Sequence, residues 1–385
     1  MISRREILVR GWAALLALPG VGVASMPATA TSRRSKAAAD PGAPPQVPPP
    51  PSPLRALLQQ ARSWSYQLQN YEPAALAAST ADILVVDDSL GTGEGRKPSQ
   101  QLRDLKRKPD GTRRIVLAYL SIGEAEEYRY YWKADWIETA TPDQPDDAEQ
   151  PPPAGAKAKG QPANGRAAHS SRSSSAEAAS PPKSDRWPSR TAPPWLADEN
   201  EAWSGNFAVR YEHPDWQAIF LDGPRSYLAR IAEAGFDGVY LDRVDAFYDH
   251  NGDLDDPARA MVDFVRRIAE TAHRLKPDFL IVPQNGEELL LRPGYVDLID
   301  AIAKEDLLYG SPTDGKPNSA GQVVNSVGWL SIARRRGHPV LAVEYLDDTA
   351  EISKARLELT RLGYVATFAP RLLDALSPHA VPPLP

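Results

Sequence analysis

Cysteine is absent from the 385 residues. That excludes disulfide staples, thiolate nucleophiles, Cys-ligated zinc, iron–sulfur clusters and a lipoprotein anchor. Histidine is scarce. The six copies, at 169, 213, 250, 273, 338 and 379, contain no pair at metal-ligand spacing, so no metal or other cofactor is expected. An excess of positive charge is also lacking. Lys and Arg number 44 against 50 acidic residues, a formal net charge of −6, and a nucleic-acid partner needs a basic surface. No stretch approaches the ~18 consecutive apolar residues of a membrane span. No G-x-S-x-G elbow supports a serine hydrolase. Gly91-Thr92-Gly93-Glu94-Gly95 departs from the dinucleotide fingerprint and reads as a loop. Asp249, Asn251 and Asp253 alternate as in a calcium loop, but Leu254 stands where that loop needs glycine.

What is abundant is proline, 38 residues, and its placement marks where the globule is not. The chain opens Ser3-Arg4-Arg5-Glu6-Ile7-Leu8, runs apolar from Trp12 to Val23 and reaches Ala28-Thr29-Ala30. A charged start, a short apolar stretch and a small-residue cleavage site read as an export signal over residues 1–30. The adjacent arginines resemble the twin-arginine type, with the Sec route as the alternative. The expected destination is the periplasm or the extracellular space, with no membrane attachment after cleavage. Removing the signal takes three arginines and one glutamate, which leaves the remainder more acidic. Residues 31–53 end in Pro48-Pro49-Pro50-Pro51 and read as a semi-rigid tether. Residues 140–194 carry Pro151-Pro152-Pro153 and the serine run ending at Ser175. They hold too little apolar surface to offset chain ordering, and read as a disordered Pro/Ala/Ser-rich insertion after the third strand.

The patterned remainder, within residues 54–378, is about 260 residues, the usual length of an α/β barrel. Eight short apolar runs are expected strands: Trp64–Leu68, Ile83–Val86, Ile115–Leu120, Gly238–Leu241, Phe279–Val282, Ala301–Ala303, Val340–Val343 and Tyr364–Phe368. Helical patterns separate most of them. The clearest covers 256–275, with Met261, Phe264, Val265, Ile268 and Ala272 on one stripe, Asp256 as N-cap and Pro257 in the first turn. A second covers 214–234, interrupted at Gly223-Pro224. Eight strands alternating with helices predict a parallel (β/α)8 barrel, with a doubly wound open sheet as the alternative.

Carboxylates follow these strands. Asp87 follows the second, Glu124 the third, Asp242 and then Asp245 the fourth, Glu305 the sixth and Glu344 the seventh. The C-terminal rim is where barrels carry their chemistry, and a ring of charge there is costly without a purpose. Tyr240, Arg243, Asn285 and Tyr345 lie beside the same strand ends, and Trp203 is among the aromatics that follow the insertion; all five join the acids as candidate substrate contacts. Aromatic rings stack on sugars, and two carboxylates flanking a glycosidic bond are the usual hydrolytic pair.

The segments Ala118-Tyr119-Leu120-Ser121-Ile122-Gly123-Glu124, Trp203-Ser204-Gly205-Asn206, Gly235-Phe236-Asp237-Gly238-Val239-Tyr240-Leu241-Asp242 and Pro283-Gln284-Asn285-Gly286 resemble glycoside hydrolase family 114. That family includes the endo-α-1,4-polygalactosaminidases. The resemblance covers about residues 60–375 apart from the insertion. It implies a (β/α)8 barrel that cleaves galactosamine-containing exopolysaccharide, with a catalytic pair falling on Asp242 and Glu305. Asp242 is assigned as nucleophile or base and Glu305 as acid/base. The implied partner is a cationic amino-sugar polymer, which an acidic cleft would attract, and the protein is expected to be a monomer. The alternatives are a catalytically silent polysaccharide-binding barrel and a glycosidase for another amino-sugar polymer.

Overall fold

The computed structural model describes residues 52–92, 100–139, 185–250, 252–311 and 313–376. The export signal, the tether up to residue 51 and the insertion up to residue 184 lie outside them. Thirteen strands occur among the described residues: β1 (Trp64–Gln67), β2 (Ile83–Asp87), β3 (Ile115–Ser121), β4 (Glu124–Glu126), β5 (Ile137–Thr139), β6 (Arg186–Pro188), β7 (Leu196–Glu199), β8 (Asn206–Val209), β9 (Gly238–Asp242), β10 (Leu280–Pro283), β11 (Ile302–Glu305), β12 (Val340–Glu344) and β13 (Val365–Phe368).

Eight of these are the expected apolar runs, and all eight pair in parallel. They form one five-stranded sheet in the order β1-β2-β3-β9-β10 and one three-stranded sheet in the order β11-β12-β13. The sheets meet on one side through a single parallel bridge, Gln284 with Ala303. On the other side Trp64 Nε1 donates to Val365 O at 2.9 Å, and the Leu68 N–H to Leu373 O at 2.8 Å.

Alternation explains why these strands are apolar throughout. Trp64, Tyr66, Ile83, Val85, Ile115, Leu117, Tyr240, Leu280, Val282, Leu341 and Val343 pack with one another in one core. Their neighbours of opposite parity, among them Leu84, Val116, Ala118, Val239, Ile281 and Ala342, join a second core with the helices. Both faces of β1, β2, β3, β9, β10 and β12 are therefore buried, while β11 and β13 each have two half-buried residues. The helix Asp255–Leu275 buries Met261, Phe264, Val265, Ile268 and Ala272 on its stripe. It starts one residue earlier than expected, with Leu254 rather than Asp256 at the N-cap position. Asp255 and Asp256 instead both occupy the first turn, where the helix dipole favours negative charge. The 214–234 segment forms two helices, Pro214–Leu221 and Tyr227–Ala234, on either side of Gly223-Pro224.

Between β3 and β9 the chain makes an excursion that hydropathy did not reveal. Strands β4, β8 and β7 form a small antiparallel sheet, and β5 pairs with β6. The last ten residues of the expected disordered insertion, 185–194, thus belong to the fold. Arg186 on β6 pairs with Glu199 at 2.7 Å and with Glu127, which anchors a strand too short and polar to show in the sequence.

Candidate active site

The strand ends deliver two carboxylates to one cavity. Asp242 is the last residue of β9 and Glu305 the last of β11, so the pair straddles the junction of the two sheets. Both line a cavity that also presents Trp203, Arg243, Asp245, Asn285, Lys304 and Tyr345.

Asp242 is 2% exposed and accepts three hydrogen bonds. Tyr119 Oη donates to Oδ2 at 2.6 Å, Gln284 Nε2 to Oδ1 at 2.8 Å and the Arg243 N–H to Oδ1 at 2.8 Å. Gln284 is oriented in turn by Tyr240 Oη, 2.5 Å from its Oε1. Tyr240 is fully buried and stands behind Gln284 rather than on the cavity wall. Immediately after Asp242, Arg243 adopts a left-handed φ of 57°. This conformation is uncommon for a residue with a Cβ, and such residues concentrate at functional sites.

Glu305 is held differently. Asn285 Nδ2 donates to its Oε2 at 3.0 Å, and Tyr345 Oη donates to Oε1. The Glu305 N–H donates back to Asn285 Oδ1 at 3.1 Å, and Lys304 Nζ to the same oxygen at 3.3 Å. One asparagine therefore reads both the backbone and the carboxylate of Glu305. Asn285 and Gly286 are both left-handed, at φ 59° each, which turns the chain sharply after β10. Burial works against the charge of Lys304, but Glu287, 3.2 Å from its Nζ, carries its pKa above the ordinary lysine value. Arg371 lies over the Tyr345 ring, 3.8 Å from its centroid, and pairs with Asp306 at 2.9 Å.

The remaining acids occupy other places. Asp245 is on the cavity wall, and burial raises its pKa to about 7 against the opposing pull of Arg243. Glu124, 2% exposed, lies outside the cavity lining. It pairs with Arg243 Nε at 2.9 Å and accepts from Asn200 Nδ2 at 2.8 Å, which ties the Trp203-bearing turn to the loop after β9. Glu344 is fully buried. It accepts from the Leu308 and Tyr309 N–H groups at 2.8 and 3.2 Å, and burial raises its pKa to about 7. It fixes the loop after β11 from below. Asp87 joins a separate cluster in which Arg129 faces Asp87, Asp88 and Glu126 at 2.8, 2.6 and 2.6 Å. The aromatic residues after β3 mostly pack on one another: Trp132, Trp136, Trp195, Phe207 and Trp216 form a chain of ring contacts. Trp203 is the member that lines the cavity.

Residue types alone did not single out Tyr119, Gln284, Lys304 or Glu287. The alternation of β3, which points Tyr119 to the same side as Leu117, was the one available signal for Tyr119. Among the described residues no group of three or more His, Asp or Glu side chains is arranged to hold a metal ion.

Known proteins resemble this chain at several levels. The model of the glycoside-hydrolase family GH114 matches residues 173–379. An uncharacterized protein of Deinococcus radiodurans is 30% identical over 86% of this chain and 90% of its own length. One of Thermotoga maritima is 30% identical over 75% of this chain and 72% of its own. A third, from Methanocaldococcus jannaschii, is 32% identical over 74% of this chain, and the match spans 66% of that protein. The glycoside hydrolase domain of PelA from Pseudomonas aeruginosa has the same fold, with a TM-score of 0.51 at 18% identity over 82% of this chain and 98% of that one. The chain belongs to the glycoside-hydrolase family GH114.

Proposed function

We propose that this protein hydrolyses α-1,4-linked galactosamine-containing polysaccharide with Asp242 and Glu305 as the reacting pair. The observation that carries this reading is their convergence on one cavity from the C-terminal ends of β9 and β11. The three hydrogen bonds that Asp242 accepts favour its ionised form, which suits a nucleophile or base. Glu305 is the more exposed of the two and is aimed by Asn285 and Tyr345, which suits an acid that delivers a proton to the leaving oxygen. Trp203 offers a ring face to a sugar. The eight parallel strands are read as a closed (β/α)8 barrel. The two separately packed strand faces and the contacts at both sheet junctions support that closure. The protein would act after export, as a monomer.

A reducing-sugar assay on α-1,4-galactosaminan, run beside the acetylated polymer, tests the reading. Release of reducing ends by the parent and its loss in Asp242→Asn is the expected result. Binding without cleavage would favour a silent polysaccharide-binding protein, and cleavage of another amino-sugar polymer alone would reassign the substrate.

A further inference from the structure

Strand β11 carries a charge where packing asks for an apolar residue. Alternate side chains along Ile302–Glu305 face opposite ways. Ala303 joins the core between the strands, and Ile302 the core shared with the helices. Lys304 has the parity of Ile302, and only 16% of its side chain is exposed. Its register partner on β12 is Ala342, which is fully buried. The counter-charge is Glu287, also buried, 3.2 Å from Lys304 Nζ. Glu287 accepts in turn from Ser326 Oγ at 2.6 Å, on the helix Ala320–Arg335. An apolar pair of similar volume is often as stable as a buried ion pair, because both charges must be stripped of water. The lysine therefore calls for a reason other than packing.

The second contact of Lys304 supplies one. Its Nζ donates to Asn285 Oδ1 at 3.3 Å, and the Glu305 N–H donates to the same oxygen at 3.1 Å. A primary amide has nearly the same shape either way round, so its hydrogen bonds decide which end faces a neighbour. Two donors on Oδ1 turn Nδ2 towards Glu305, where it donates to Oε2 at 3.0 Å. The ammonium also polarises the amide, which strengthens the Nδ2 donor.

We propose that Lys304 is a positioning residue for the reaction: through Asn285 it holds the Glu305 carboxyl in one orientation. The proposal rests on the assignment of Glu305 as a reacting group. A carboxyl that hands a proton to a leaving oxygen must present it at a fixed angle. The positive charge one amide away also keeps that proton labile, as an acid requires. The other charged and titratable groups reach Glu305 from different elements. Tyr345 donates to Oε1, and burial together with the Glu305 charge raises the pKa of both Tyr345 and Tyr240. Arg371, paired with Asp306, lies over the Tyr345 ring. Asp242 lines the same cavity. Lys304 acts from the β10 side, through the Asn285 amide.

The test is the neutral pair Lys304→Met/Glu287→Gln, which removes the ion pair without stranding either charge. Carbon-13 NMR of the Glu305 carboxyl, assigned through Glu305→Gln, gives its pKa, and galactosaminan hydrolysis gives turnover and KM. The expected result is a folded protein in which the Glu305 pKa rises by at least about half a unit, turnover falls at least about tenfold and KM stays within about twofold. A folded variant with the parental Glu305 pKa or the parental turnover would reduce Lys304 to packing and overturn the proposal. If the parent cleaves no galactosaminan, the functional reading fails, and the carboxyl pKa alone decides the positioning role. If the double variant does not fold, the parent provides the measurement. The nitrogen-15 signal of Lys304 Nζ should follow the titration of Glu305 and lose that inflection in Glu305→Gln, since coupling between two groups is reciprocal. The same pH profile in both proteins would overturn the proposal.

Discussion

Replacing Asp242 by asparagine keeps the shape of the side chain but removes the charge on which Tyr119, Gln284 and the Arg243 N–H converge. Asp242→Asn and Glu305→Gln should each lower turnover on galactosaminan at least about 10²-fold while the thermal midpoint stays near that of the parent. Full turnover in a folded Asp242→Asn protein would sink the assignment. Asp245 makes a different kind of prediction. Its carboxyl titrates near pH 7 in the fold because burial penalises the charged form, against about 3.9 in an unfolded chain. The folded state therefore holds a proton that the unfolded state has released between those values. Its contribution to stability is full at low pH and is lost as pH rises through about 7. Glu344 acts in the same direction. Thermal melts of the parent should fall between pH 5 and pH 8, and those of Asp245→Asn should fall less. Identical declines would show that Asp245 does not carry the effect.

The loop after β9 owes its path to a close approach. A Cβ on Gly123 would run into the Arg243 carbonyl and stand 2.6 Å from the Ala246 Cβ. Gly123→Ala should push the Arg243–Ala246 turn away from β3, cost about 1–3 kcal/mol of stability and lower turnover together with it. A substitution with unchanged melting and activity would mean that the turn yields freely. At this scale the sequence was an uneven guide. All eight parallel strands were legible because strands buried on both faces are written as unbroken apolar runs. That Asp242 and Glu305 would reach the strand ends together was legible, because a carboxylate closing such a run has no packing reason to be there; their catalytic role remains the proposal made above. Strands β4 to β8 were not, since they mix polar with apolar positions: Ala125, Leu196, Phe207 and Val209 join the core, but the residues beside them are polar, and β6 is held by the ion pair of Arg186 with Glu199. Glu344 and Glu124 show the limit of the strand-end rule: the type and place were right for a rim acid, but only tertiary contacts reveal that each holds a neighbouring loop.

For the whole molecule, the described residues resume at 185, after most of the low-complexity segment. Deleting 145–184 should leave the thermal midpoint within about 2 °C, since loop length costs stability only logarithmically. Extending the deletion to 190 removes β6 and Arg186, and the midpoint should then drop clearly; equal midpoints would show that β6 contributes nothing. Arg4→Lys with Arg5→Lys should leave uncleaved precursor in the cytoplasm if export follows the twin-arginine route, and undiminished secretion would point to Sec. The junction between β10 and β11 has a mechanical consequence. The gap between two glycosidase carboxyl groups sets whether a water fits between them, and with it the stereochemistry of the product. Here the two sheet edges are joined by one bridge, Gln284 with Ala303, by the Asp300 N–H to the Ile281 carbonyl and the Asn285 N–H to the Ala303 carbonyl, each at 2.9 Å, and by the side chain of Asn285 on Glu305. The distance between Asp242 and Glu305 is therefore set by how one sheet edge packs on the other, and Asn285, which holds Glu305 from the end of β10, is the residue through which a substitution would reach it most directly.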